Sequence, residues 1–453
     1  MSEAPKNGRI QTGNPRRRMV RAVAIASAGV LALAGCASGK STSSTGTPNG
    51  STKTATVSND WALAYTGGTA GKADSKLAPV VIGYVNQQGG VPAFPEATQG
   101  LDAAAKYINE ELGGIKGHPI EIEQCFVIAN EDGQKCGTQL ANDDGVKLVI
   151  TGAMTVGNEA LYNIVAAKKP ILISNAVVTP DYLTSGAYAY TPGGPGVVQG
   201  MAVFVAQHLK NIHKVAIVYG DSDAEVFGAE GLLVPKLKTF GITDVTLQKI
   251  SDAPTAPDVQ NALTAAGADK ADIVIPIVTV QGCIATYDAL TSLGIKTPVV
   301  TTGLCFGTPM TKHLADLGSS DVVPNGWYFG DYGYSYFVPE EASGMTTYLA
   351  KIKQYGPSGV EYTGFAGPTF ATLMTATKFY NELGPDAATA ALLTSIKTFK
   401  GPMMIVAGPM NCGFSTLFKS LCGTQMGIML YKDGKWTAIA SGVNGKPIDP
   451  YLP

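Results

Sequence analysis

Beyond Pro79 the chain alternates short runs of β-branched and apolar residues with stretches of helical spacing. The predicted strands are Val80–Val85, Ile120–Cys125, Lys147–Thr151, Ile171–Ser174, Val215–Tyr219, Asp244–Lys249, Ile273–Val278 and Pro298–Thr301. Most are nearly continuous apolar runs, the pattern of parallel strands buried on both faces. Between them, Leu101, Ala104, Ile108 and Leu112 fall on one helix face until Gly113-Gly114 stops it. Similar spacing predicts helices over 134–142, 157–168, 197–209, 227–240, 258–266 and 284–293. Repeated βα units give an α/β protein with doubly wound parallel sheets, and there are enough units for two lobes.

Three breaks interrupt the alternation. Tyr190-Thr191-Pro192-Gly193-Gly194-Pro195-Gly196 closes the first four units, Pro324–Pro339 is aromatic and Gly-rich, and Gly401–Gly423 precedes a hairpin-like pair, Gly427–Tyr431 and Trp436–Ala440. Three crossings between lobes are expected. The first lobe takes residues 79–193 and 327–400; the second takes 194–326 and 401–453, including the C-terminal tail. Two lobes closing about such crossings make a hinge around a ligand.

The N-terminus is of another kind. Arg16, Arg17, Arg18 and Arg21 precede an apolar run from Ala22 to Ala34 that ends in Leu33-Ala34-Gly35-Cys36. This is the layout of a secretory signal peptide over residues 1–35, and its end resembles the bacterial lipobox, which makes Cys36 the lipidated first residue of the mature chain. The run is about two thirds of the ~20 residues that a spanning helix needs. The arginine pair also resembles a twin-arginine export signal, although Pro15 stands where Ser or Thr is usual. The Ser-, Thr- and Gly-rich stretch after Cys36 cannot bury enough surface to order itself, so 36–78 reads as a lipidated N-terminus and tether. Trp61-Ala62-Leu63-Ala64-Tyr65 is its one apolar run, a candidate for packing on the folded body.

A formal net charge of −2 with 15% charged residues offers no basic face for nucleic acid. Besides Cys36 there are Cys125, Cys136, Cys283, Cys305, Cys412 and Cys422. In an exported chain an even set suggests disulfides, and proximity favours Cys125–Cys136, Cys283–Cys305 and Cys412–Cys422 among fifteen connectivities. A zinc site is the competing reading, against which stands the absence of any CxxC pair.

In open parallel sheets ligands bind beyond the carboxyl ends of the strands. The candidates there are Asn86, Gln87 and Phe94 after the first strand, Thr155 after the third, and Ser174, Asn175 and Val177 after the fourth. The second lobe offers Asp221, Thr279 and Gly303, and Tyr332 lies in the second break. Thr155 leads into a helix whose free N–H groups favour a carboxylate. Each of these residues has an ordinary alternative as an N-cap or turn residue.

The stretch Ile82–Ile122, with Gly100-Leu101-Asp102-Ala103-Ala104 and Gly113-Gly114-Ile115-Lys116-Gly117, resembles the opening of branched-chain amino-acid-type ABC-transporter binding proteins. Val149–Pro180 and Asp272–Lys296 follow the same family's spacing. The resemblance implies the type I periplasmic-binding fold and delivery of a small-molecule ligand to membrane permease subunits; with the lipobox, a lipid-anchored, extracytoplasmic monomer is expected. It places the family's carboxylate-binding Ser on Thr155, a ligand-binding Thr on Val178, a cleft Tyr near Val278 or Thr279, and a pocket aromatic on Phe365. The acid that pairs with the ligand ammonium falls on or near Gly303, so that partner is expected to be lost, with Asp221, Asp223 or Asp331 as substitutes.

Enzyme chemistry finds little footing. Ala34–Ser41 fits a relaxed phosphate-loop pattern but straddles the cleavage site with no strand before it, and Gly194, Gly196 and Gly200 miss the dinucleotide fingerprint by one residue. His208 and His213 are five apart, on different helix faces, and no GxSxG or HExxH occurs. No cofactor, metal site or catalytic residue is expected. A ligand sensor or a hydrolase on the same fold is the alternative to a transport receptor.

Overall fold

The structure is a computed structural model and describes residues 57–90, 92–340 and 343–451. The signal peptide, Cys36 and the first part of the tether lie outside the described residues. In the first lobe β1 (Val80–Gln87), β2 (Ile120–Val127), β3 (Val149–Thr151), β4 (Ile171–Ile173) and β5 (Ala187–Ala189) form a sheet in the order β2-β1-β3-β4-β5. Every pair in it is parallel.

The second lobe holds β6 (Lys214–Tyr219), β7 (Asp244–Lys249), β8 (Ile273–Ile277), β9 (Val299–Thr302), β10 (Trp327–Asp331), β11 (Gly427–Lys432) and β12 (Lys435–Ala440). Their order is β12-β11-β10-β9-β8-β6-β7. It is parallel from β7 to β10 and ends in an antiparallel hairpin, so this sheet is mixed rather than wholly parallel. Asp433 and Gly434, at φ 51° and 75°, make the tight turn that an Asp-Gly pair favours between two strands. Along β6, Val215 and Ile217 enter one apolar layer and Ala216 and Val218 the other, which is why the run shows no polar alternation.

Trp327–Asp331 corrects the expected division. The breaks in the sequence place these residues in the returning first-lobe segment, but they are the strand joining β9 to β11, since Trp, Tyr and Phe suit a half-buried pleated surface. The second crossing therefore begins at Tyr332. The three helices that follow, Met345–Tyr355, Ala366–Leu383 and Thr389–Thr398, return to the first lobe. Ala366–Leu383 lies so close to Pro95–Glu111 that a Cβ at Gly100 would stand 2.3 Å from the Ala366 carbonyl oxygen. Only glycine fits that crossing.

The crossings are laced together. Ala189 N–H donates to Ser420 O and Cys422 N–H to Ala189 O, each at 2.8 Å, so residues 420–422 border the edge of the first sheet. Ala407 N–H donates to Tyr332 O at 3.0 Å. The disulfides are Cys125–Cys136, Cys283–Cys305 and Cys412–Cys422. They join β2 to the helix Asn130–Asn142, the helix Val280–Leu293 to the turn after β9, and two points of the third crossing.

The tether expected over 36–78 is too long: its Trp61–Tyr65 run is a helix, Asp60–Thr66, and Thr69, Gly71 and Ala73 N–H bond to Leu112, Glu111 and Asn109 carbonyls of the first lobe. Tyr65 shares a 2.7 Å hydrogen bond with Thr375, and Asn381 Nδ2 donates to Thr66 O at 3.0 Å.

Candidate functional site

The carboxyl ends of β1, β3 and β4 meet in a web of side-chain amides. Asn86, fully buried, donates to Phe94 O at 2.8 Å and Thr98 Oγ1 at 3.0 Å and accepts Ala153 N–H at 2.9 Å. Gln87 donates to Pro92 O at 2.8 Å, and its Oε1 accepts both the Thr155 N–H at 2.7 Å and the Thr155 hydroxyl at 2.9 Å. Gly157 N–H donates to Asn130 Oδ1 at 2.9 Å. In the loop that leads into the helix Asn158–Val165, the Ala153, Thr155 and Gly157 donors are thus taken by the protein's own acceptors.

The turn after β4 is filled likewise. Asp181 Oδ2 accepts Val177 N–H at 2.7 Å and Val178 N–H at 3.0 Å, and Oδ1 accepts Asn158 Nδ2 at 2.6 Å and Tyr162 OH at 2.5 Å. Burial pushes the Asp181 carboxyl up to about 6 against the pull of these bonds. Ser174 Oγ and Asn175 Oδ1 are buried without a partner, an arrangement that normally calls for a ligand, water or relaxation. Asn175 Nδ2 donates to Phe365 O at 3.3 Å and Thr369 Oγ1 at 3.1 Å. Phe365 in turn meets Phe94 edge-on, with ring centroids 5.1 Å apart. Asn86, Gln87, Phe94, Thr155, Asn175 and Phe365 therefore form one connected wall.

In the second lobe Asp221 and Thr279 are joined through Asp252. Asp252 N–H donates to Asp221 Oδ1 at 3.0 Å, and Thr279 Oγ1 donates to Asp252 O at 2.7 Å while capping its helix at Gly282 N–H. Glu225 lies beside them, its carboxyl raised to about 7 by burial and by Asp252 and Asp221. Gly303 and Tyr332 form a third group around Asp331. That carboxylate accepts Tyr332 N–H at 2.7 Å and is raised to about 7 by burial.

The lobes touch on both flanks of the junction. Tyr182 stacks on Phe227 at 6.2 Å, where the second-lobe helix widens into a π turn over Phe227–Leu233. On the other flank Thr308 N–H donates to Glu361 Oε2 at 2.7 Å. Glu96 stands near Glu361 and is raised to about 7, by burial first and by that neighbour second. Asn130, Asp181, Asp252, Glu96 and Glu361 were not picked out from sequence. Asp252 and Asp181 carry weak signals, as polar residues soon after β7 and β4, whereas Glu361 has none because it lies in no strand-end loop. Among the described residues no His/Cys/Asp/Glu group could hold a metal ion, and no helix is long and apolar enough to cross a membrane.

Two α/β lobes, three crossings and ligand-type groups at the facing strand ends define a type I periplasmic-binding fold. The chain belongs to the periplasmic binding protein family, whose model matches residues 79–411. No curated protein matches the sequence. Among solved structures it is similar to a leucine-binding protein from Thermotoga maritima, at 13% identity and a TM-score of 0.61, over 82% of this chain and 99% of that one. A branched-chain amino-acid transporter binding protein from Streptococcus pneumoniae, in complex with isoleucine, gives 15% identity and 0.62 over 82% and 100%. An R. palustris ABC-transporter solute-binding protein, in complex with 4-hydroxybenzoate, gives 16% and 0.63 over 82% and 96%. The family and these neighbours are binding proteins, and the family implies an extracytoplasmic location.

Proposed function

We propose that this chain is the solute receptor of an ABC importer, tethered to the membrane through a lipid on Cys36. It captures a small polar or amphipathic metabolite between its lobes and delivers it to a permease. An amino acid, an amide and a carboxylic acid are the ligand classes in view, the neighbours being complexes with isoleucine and with 4-hydroxybenzoate. The observation that carries this reading is the connected wall from Gln87–Thr155 through Asn175 to Phe365 and Phe94. It stands at strand carboxyl ends, where open α/β sheets take their ligands. The three crossings supply the hinge for closure, and the receptor works by binding without turnover.

The test is a thermal-shift screen of amino acids, amides and small carboxylic acids, since a ligand selective for the folded state raises the melting temperature. Hits are followed by calorimetry. A micromolar or tighter ligand, about −8 kcal/mol, recovered chemically unchanged, is the expected result. Steady turnover of the hit would replace the receptor reading with a hydrolase.

A further inference from the structure

Five donors of the loop after β3 are already committed. Gly152 N–H donates to Val85 O at 2.8 Å, Ala153 N–H to Asn86 Oδ1 at 2.9 Å, and Gly157 N–H to Asn130 Oδ1 at 2.9 Å. Both donors of Thr155 converge on one oxygen, Gln87 Oε1. That oxygen occupies the place a ligand carboxylate oxygen would take at this helix start. Gln87 is itself 2% exposed and held from its other end by Pro92 O, so its carboxamide is a fixed part of the wall.

We infer that the ligand carries no carboxylate at the first lobe and presents instead a hydrogen-bond-donating head, an amine or a primary amide. This rests on the receptor function proposed above and narrows its ligand class. Two further observations point the same way. The first is Asn175, 1% exposed and pinned by its Nδ2 between Gly152 O at 3.4 Å and Phe365 O at 3.3 Å. Its Oδ1 has no partner, and a buried acceptor left unpaired costs about 1–3 kcal/mol. A ligand N–H is the group that relieves it.

The second is Asp331, in the hinge. Its neighbour across β11 is Gly427, and Gly330 pairs with Thr302 in β9, which places Asp331 beside Gly303. The cross-strand neighbours of Asp331 are thus glycines, and among the described residues its one hydrogen bond is from Tyr332 N–H. Tyr336 is close enough to feel its charge, and Phe306 lies 6.4 Å from the Tyr336 ring. A carboxylate beside aromatic faces is the setting that stabilises an ammonium or polarised N–H group. The acid expected at Gly303 is thus supplied from the adjacent strand. Bidentate clamping of a carboxylate falls to arginine, and every arginine of the chain lies in the first 21 residues.

The test uses the full chain purified in detergent and two matched sets of probes. One set is 4-hydroxybenzoate, 4-hydroxybenzamide and 4-hydroxybenzylamine; the other is isovalerate, isovaleramide and isoamylamine. Calorimetry is run on the wild type, on Gln87→Ala, which frees the Thr155 donors, and on Thr155→Val, which removes only the hydroxyl. The expected result is that the amide or amine of one set binds the wild type at least tenfold tighter than its carboxylate. Gln87→Ala should improve the carboxylate at least tenfold, and in Thr155→Val the carboxylate should remain the weakest ligand of its set. A carboxylate that binds the wild type more tightly than its partners, and loses tenfold in Thr155→Val, overturns the inference and leaves the receptor function standing. Binding of none of the six in any of the three proteins counts against both.

Discussion

Glu361 of the first lobe accepts the backbone N–H of Thr308, the first residue of a second-lobe helix, at 2.7 Å. Its other oxygen takes the Thr363 N–H at 3.2 Å and the Thr363 hydroxyl, which fixes the carboxylate in place. A carboxylate at a helix start interacts favourably with the unpaired N–H groups and the dipole.

This contact exists only when the lobes are together, so it biases closure rather than folding. Glu361→Ala is expected to shift the closed-to-open balance by about 1 kcal/mol, roughly fivefold. Small-angle scattering of the ligand-free protein should show a larger radius of gyration for the variant, with an unchanged urea midpoint. An unchanged radius would mean that the Tyr182–Phe227 flank alone holds the junction.

Glu111 organises the back of the first lobe. It accepts Lys351 Nζ at 2.6 and 2.9 Å, Tyr355 OH at 2.6 Å and Asn59 Nδ2 at 2.8 Å. Burial pushes its carboxyl up, but these bonds outweigh burial and hold it down at about 2. The Lys351 side chain is 3% exposed and lies 4.7 Å from the centroid of the Tyr107 ring. Removing the cation alone leaves a half-buried carboxylate without its counter-charge, so Lys351→Met should cost about 1–3 kcal/mol in urea unfolding. The pair Lys351→Met with Glu111→Leu should recover part of that loss. Because the folded-state pKa is depressed, this stabilisation is complete above about pH 5 and drains away as pH falls toward 2. A Lys351→Met protein as stable as the wild type would show the cluster to be energetically idle.

How much of this was readable beforehand follows from where each signal resides. Ile273–Ile277 was legible because five consecutive buried residues admit no polar alternation. Ala187–Ala189 was not: two of its three residues are alanines, poor strand formers, and the strand exists because β4 and residues 420–422 pair with it. Thr155 and Asn175 could be placed at strand ends by counting along the chain. That Gln87 occupies the donors of Thr155 could not, since the partners are 68 residues apart and neither carries a motif. The resemblance suggested a retained carboxylate end and a lost ammonium end. The inference drawn above is the reverse, resting on Gln87 in the first case and on Asp331, one strand away from Gly303, in the second.

The raised carboxyls around the junction have a shared consequence for stability. Glu96, Glu225 and Asp331 each stand at about 7 in the folded protein, chiefly through burial. An unfolded chain releases those protons near pH 4. Between these limits the folded state binds more protons, so stability is full below about pH 4 for these groups and declines as pH rises through 7. The melting temperature should therefore be higher at pH 5.5 than at pH 8. Asp331→Asn, which keeps the shape without the charge, should gain more at pH 8 than at pH 5.5, by about 2 kcal/mol. Scanning calorimetry at the two pH values checks this, and equal melting temperatures would remove burial as the dominant influence on these acids.

Phe365 gives the sharpest local test of where the ligand sits. Its carbonyl oxygen serves the protein, accepting Thr369 Oγ1 at 2.8 Å and Asn175 Nδ2 at 3.3 Å, so backbone and Asn175 survive a change of side chain. Its ring packs edge-on against Phe94 and is partly exposed, which leaves apolar surface for a ligand body. Truncation removes that surface and the aromatic contact, worth about 1–3 kcal/mol together. Phe365→Ala should thus weaken a confirmed ligand by roughly tenfold to a hundredfold, and Phe94→Leu by less, because an apolar side chain remains. Calorimetry with one ligand across the wild type and both variants separates the cases. Unchanged affinity in both, with melting curves like the wild type's, would move the ligand away from this wall and toward the Asp221–Asp252 side of the second lobe.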